Sequence, residues 1–165
     1  MSDVLHRILS RLPARLAVLA LAALLVSSCG FSRRISRLFG GNVKMTVSVS
    51  PQLNNNSPVP VEVLIFYDQK LMDTVLAMTA EQWFAARSQF IKDNGAKQPG
   101  FDTHHWEWVP NQAIDPFKLS YRIGARGGVV FAGYASAGAH RQSIDPQLNI
   151  SLSLGATGFT VTQTR

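Results

Sequence analysis

The sequence predicts a mostly β protein: an antiparallel β-sandwich with one small inserted helix. Three observations predict it. About seven or eight short segments carry apolar residues at every second position, as half-buried strands do. Clusters of Gly, Pro and Asn separate them. Only residues 80–93 are long enough, and free enough of Gly and Pro, to read as a secure helix. A parallel α/β sheet would need helices at most of its crossovers, and this chain does not supply them.

The first thirty residues read as an export signal. Arg7, Arg11 and Arg15 give a positive start, and residues 16–26 (LAVLALAALLV) form an apolar run long enough for a signal-peptide core yet short for a membrane span. Val26-Ser27-Ser28-Cys29-Gly30 then resembles the bacterial lipobox. That resemblance implies cleavage after residues 1–28, a covalent lipid on the sulfur of Cys29, and acylation of the new N-terminus. An ordinary signal peptide with a chance cysteine is the weaker reading, because Cys29 is the single cysteine and no intramolecular disulfide has a use for its thiol. Several acyl chains, at roughly 0.8 kcal/mol per buried methylene, make such an anchor effectively permanent. Gly30, where inner-membrane lipoproteins of this type often carry Asp, favours the periplasmic face of the outer membrane.

Residues 29–42 read as a lipidated tether, poor in core material and ending in Gly40-Gly41-Asn42. Arg33, Arg34 and Arg37 lie close enough to the lipid to touch anionic headgroups, each worth about 1 kcal/mol there. The net charge of +6 includes three Arg and one Asp of the leader, so the processed chain is only modestly basic. It has no basic run interleaved with aromatics, which argues against nucleic acid as a partner.

Residues 43–165 make one domain. Val43, Met45, Val47 and Val49 alternate with polar residues as a first strand, and residues 51–58 (PQLNNNSP) follow as an exposed loop. Residues 59–67 (VPVEVLIFY) form a second strand with Pro60 at its beginning or on an edge. Thr79 and Gln82 have capping-box spacing at the head of the helix, and Trp83, Phe84, Phe90 and Ile91 mark the face that it buries against a sheet. Residues 96–103 read as a polar connection and 104–109 as a short strand. Phe117, Leu119, Tyr121 and Ile123 alternate. Residues 128–135 (GVVFAGYA) are apolar nearly throughout and so more central. Residues 148–154 alternate again, and residues 155–158 turn the chain into a last strand at Phe159 and Val161.

Candidate chemistry is sparse. His104 and His105, with Asp102 and Glu107 nearby, do not make a persuasive metal site, since strand neighbours point to opposite faces and no set of three or four ligands converges. There is no Gly-x-Ser-x-Gly elbow, no paired carboxylate set and no Lys-Ser/Thr after the Gly-rich turns. The lipobox resemblance implies that Cys29 is acylated and so unavailable as a nucleophile. The chain is therefore expected to be no enzyme, with no catalytic residue, metal, cofactor or small-molecule substrate. Trp106 and Trp108 share one strand face, and packing over the inserted helix is their commoner use. A sugar-stacking platform is the other.

Taken in order, these features resemble the TssJ (SciN/VasD) family, the outer-membrane lipoproteins of the type VI secretion system. The likeness spans roughly residues 43–163. It rests on Leu53-Asn54-Asn55-Asn56-Ser57-Pro58, the strand Val61-Glu62-Val63-Leu64-Ile65-Phe66-Tyr67, the aromatic-bearing helix after it, and Gly128-Val129-Val130-Phe131-Ala132-Gly133-Tyr134. The chain departs from the family pattern at residues 135–141 (ASAGAHR), where members often carry an arginine and a tryptophan. The resemblance implies a transthyretin-like sandwich and a structural role in the secretion membrane complex, bound to the periplasmic domain of a TssM-like inner-membrane protein. By position it assigns partner contact to Gln52, Leu53, Asn54, Asn55 and Asn56. The alternative is a lipid-anchored periplasmic module that binds a glycan or another envelope ligand on Trp106 and Trp108.

Overall fold

The computed structural model describes residues 40–95 and 100–165. The signal peptide, Cys29 and the basic part of the tether lie outside them. Eight strands and two helices follow in order: β1 (Gly41–Val49), β2 (Val59–Phe66), α1 (Gln69–Leu76), α2 (Ala80–Asn94), β3 (Phe101–Trp108), β4 (Phe117–Tyr121), β5 (Gly127–Ala132), β6 (Arg141–Ile144), β7 (Asn149–Leu154) and β8 (Phe159–Thr164). They form two four-stranded sheets, ordered β4-β1-β7-β8 and β3-β2-β5-β6. This is a β-sandwich with a small helical layer, as the periodicity predicts.

Alternation explains which face each strand buries. Val43, Met45 and Val47 of β1 and Ile150, Leu152 and Leu154 of β7 turn inward, where they meet Val59, Val61 and Val63 of β2 and Val130 and Ala132 of β5. The opposite faces of β2 and β5 are apolar too: Leu64, Phe66, Val129 and Phe131 pack under Val75 of α1 and Ala80 and Trp83 of α2. A strand covered on both sides has no use for polar alternation, hence the continuous run in β5. Trp83 stacks on Phe131 with ring centroids 5.6 Å apart and meets Phe90 edge-on at 5.4 Å, contacts worth about 1 kcal/mol each beyond area burial. The capping box of α2 is complete, with Gln82 N donating to Thr79 Oγ1 and Thr79 N donating to Gln82 Oε1.

Several elements depart from the sequence reading. β1 takes in Gly41 and Asn42, which the reading placed in the tether. α1, capped by Asp68 accepting from Leu71 N, is a second helix that residues 69–76 are too short to announce. β3 starts at Phe101, inside the stretch read as a polar connection, because Phe101 is needed under the helices. β6 has four residues with a single buried apolar side chain, Ile144, and so leaves no periodic trace. β4 stops at Tyr121 and leaves Ile123 exposed; β5 stops at Ala132. Five of the six pairings are antiparallel, but β1 and β7 run parallel, since the whole second sheet lies between them in sequence and frees their relative direction.

Candidate functional site

Loops gather at one end of the sandwich around residues 51–58. Leu53 and Asn54 point inward, at 0% and 6% exposure, so the expectation of a wholly exposed loop is corrected. Leu53 joins the inter-sheet core. Asn54 acts as a hub: its Nδ2 donates to the Pro58 carbonyl at 3.1 Å, its Oδ1 accepts from Ala135 N at 2.9 Å, and its own N donates to the Gly155 carbonyl at 3.3 Å. Three loops are thereby joined through one side chain and its backbone. A fourth is attached by Asn111 N donating to the Ser50 carbonyl. Ser136 Oγ donates to the Thr157 carbonyl at 2.6 Å, tying the β5–β6 and β7–β8 connections.

Gln52, Asn55 and Asn56 remain exposed on this frame. Asn54, Asn55 and Asn56 all have positive φ, at 44°, 54° and 63°, a region that asparagine tolerates better than other residues with a Cβ. The remaining non-glycine residues with positive φ among those described are Asn111 and His140, in two of the neighbouring loops. Left-handed backbone at residues other than glycine is therefore concentrated at this end. Val109, 47% exposed, adds an apolar side chain beside Pro110, and Gly133 lets the β5–β6 loop approach, since a Cβ there would fall 2.7 Å from Pro60 Cγ. Burial pushes the Tyr134 hydroxyl up to about 12; it lies against the Gly155 backbone without a well-formed hydrogen bond.

The tryptophans of β3 lie elsewhere than over the helices. Trp108 is buried in the inter-sheet core, and Trp106 is half-buried, stacked between Trp108 at 5.5 Å and His104 at 6.1 Å with Phe117 of β4 tilted against it. Those side chains seal the side of the sandwich between β3 and β4. They present no open pair of indole faces. His105 points away from His104, and no group of three or more His, Cys, Asp or Glu side chains converges among the described residues.

Sequence reasoning missed Glu62. It is fully buried in β2, where Trp83 Nε1 donates to Oε2 at 3.0 Å, Arg87 Nε donates to Oε2 at 2.6 Å, and Thr103 Oγ1 donates to Oε1. With every close partner a donor and its own side chain fully buried, this carboxylate ties α2 to the sheet. One signal was available: a glutamate in the middle of an otherwise apolar strand.

No protein-family model matches the chain, and no curated protein matches it in sequence. Solved structures do match the fold. The type VI secretion lipoprotein TssJ1 from Pseudomonas aeruginosa aligns over 76% of this chain and 98% of its own, with 14% identity and a TM-score of 0.56. Serratia marcescens Lip, a membrane-bound component of the type VI secretion system, aligns over 74% and 97%, with 16% identity and a TM-score of 0.55. A chain of a type VI membrane complex aligns over 74% and 98%, with 9% identity and a TM-score of 0.52. The β-sandwich with its small helical layer thus has a TssJ-like fold.

Proposed function

We propose that this chain is a structural component of a type VI secretion membrane complex, held by acylated Cys29 at the periplasmic face of the outer membrane, and that it binds the periplasmic domain of a TssM-like protein. Partner contact falls to the exposed members of the loop end, Gln52, Asn55 and Asn56, with Val109 as an apolar neighbour. Leu53 and Asn54 hold that surface in shape from beneath.

The observation that carries this reading is the fixed loop end on a TssJ-like fold. Strained backbone costs stability unless the surroundings over-determine it, and such strain concentrates where a surface must be preorganised. Here four loops and a buried asparagine hold three consecutive left-handed residues. The reading assigns the chain no catalytic role and no cofactor beyond the lipid. The glycan-platform alternative loses its support in the indole geometry, because Trp108 is only 3% exposed.

Genetics in the host tests the assignment. Deleting the gene should abolish type VI secretion, the wild-type chain should restore it, and Cys29→Ser should accumulate without restoring it. Normal secretion after deletion would refute the assignment, and full rescue by Cys29→Ser would refute the anchor.

A further inference from the structure

At the end of the sandwich away from these loops, we infer that residues 121–126 (YRIGAR) form a docking surface for the bilayer, with Ile123 entering the interface and Arg122 and Arg126 beside it facing anionic headgroups. The inference rests on the lipid-anchored reading above.

It begins with the point of entry. The polypeptide reaches the described domain at Gly40, whose φ of +63° turns it against this segment: a Cβ on Gly40 would fall 2.8 Å from the Tyr121 carbonyl oxygen and 3.2 Å from Ile123 N. Only residues 30–39 separate Gly40 from Cys29, which limits the reach to about 40 Å even when fully extended. Among the described residues, the large hydrophobic side chains classed as exposed are Val109 and Ile123, and Ile123, at 62%, is the one beside the entry point.

A single exposed isoleucine is ordinary on a protein surface. This one is held out by a braced turn. Arg122 N donates to Tyr67 Oη at 2.8 Å, the Arg122 guanidinium lies 3.9 Å over the Tyr67 ring and pairs with Asp102 at 3.0 Å, and Tyr67 Oη donates to Asp102 at 2.6 Å. Burial and the bond to Asp102 push the Tyr67 hydroxyl up to about 12, so it stays protonated as donor. On the far side of the turn, Arg126 N donates to the Phe66 carbonyl and Arg126 Nε to the Tyr67 carbonyl. Gly124, with φ of +85° and nothing within 4 Å of the place a Cβ would take, leaves the tip open.

Three acids near this end have hydrogen-bond partners, and among them Asp102 alone has its charge paired by an arginine. Asp102 pairs with Arg122, Asp68 caps α1, and Asp145 accepts from Gln147 N. An apolar tip flanked by arginines suits the headgroup boundary of an anionic bilayer. A tethered domain is at high effective concentration near that surface, so a weak contact suffices to orient it. The loop end then points away from the membrane, toward the periplasm.

The test uses the full lipoprotein in vesicles of phosphatidylethanolamine and phosphatidylglycerol that contain a doxyl-labelled lipid. With Cys29 acylated, Ile123→Cys or Asn56→Cys supplies the single free thiol for an environment-sensitive fluorophore. We expect blue-shifted emission and quenching several-fold stronger at position 123 than at position 56, weakened when phosphatidylglycerol is replaced by phosphatidylcholine. Equal quenching, or stronger quenching at position 56, in protein that floats with the vesicles would overturn this inference alone. Failure to float would overturn the anchored reading and this inference with it.

Discussion

At Glu62 a carboxylate sits without solvent in the sheet, and only the donors on Trp83, Arg87 and Thr103 make its charge tolerable. Removing one partner of a buried pair costs more than the pair contributes, because the stranded charge stays desolvated. The Arg87 side chain is 31% exposed, so water softens the loss. Arg87→Ala should therefore lower stability by about 2 kcal/mol, and Trp83→Phe, which keeps most of the ring and loses the Nε1 donor, by about 1 kcal/mol, in urea unfolding followed by circular dichroism. No effect from either variant would show that the carboxylate is not held as described. Asn54 teaches the companion lesson about legibility. A run of three asparagines reads from sequence as an exposed turn, and residues 55 and 56 are that. The same amide chemistry also suits a buried hub, and nothing in the letters distinguishes the two uses.

Among the elements, those with a clear signature were legible: alternation put β1 and β7, a nearly continuous apolar run put β2, and the Thr79–Gln82 spacing put the capped helix α2 close to where they lie. Those too short to show a period were not, as with α1 and β6. The tryptophan pair was placed on one face correctly and over the wrong layer, because alternation fixes parity along a strand and is silent on which face meets the helices. Sheet edges follow another logic again. The β6 and β8 edges are joined by glutamine amides: Gln142 donates to the Val161 carbonyl and accepts from Val161 N, while Gln163 donates to the Asp145 carbonyl and accepts from Asp145 N. Each amide supplies the donor and acceptor that a neighbouring strand would. Unpaired edges invite association with other chains. Gln142→Ala should speed hydrogen exchange of the Val161 amide several-fold and leave Leu152, in central β7, unchanged; equal protection in both proteins would mean the amide bond is not what closes this edge.

For the whole molecule, β1 is the yardstick. Its first residues meet the turn at Tyr121 and its last meets Leu154 beside the loop cluster, so the entry of the tether and the candidate partner surface are separated by nine strand residues, roughly 30 Å. One end suits attachment and the other suits recognition. Composition and the lipobox raise the expectation of attachment ahead of β1; the loop surface needed the fold, because the loops that meet at Asn54 are up to 101 residues apart in sequence. The claim that the loop end binds a TssM-like protein is best tested by titration calorimetry of the solubilised lipoprotein with that protein's periplasmic domain. Asn55→Gly and Asn56→Gly serve as loop variants, since glycine keeps the left-handed backbone and removes the amide, and Ile123→Ser serves as the control at the opposite end. The account predicts saturable binding that each loop variant weakens by about tenfold, or about 1.4 kcal/mol, and that Ile123→Ser leaves unchanged. Absence of binding by the folded wild-type protein, or binding indifferent to both loop variants, would contradict it.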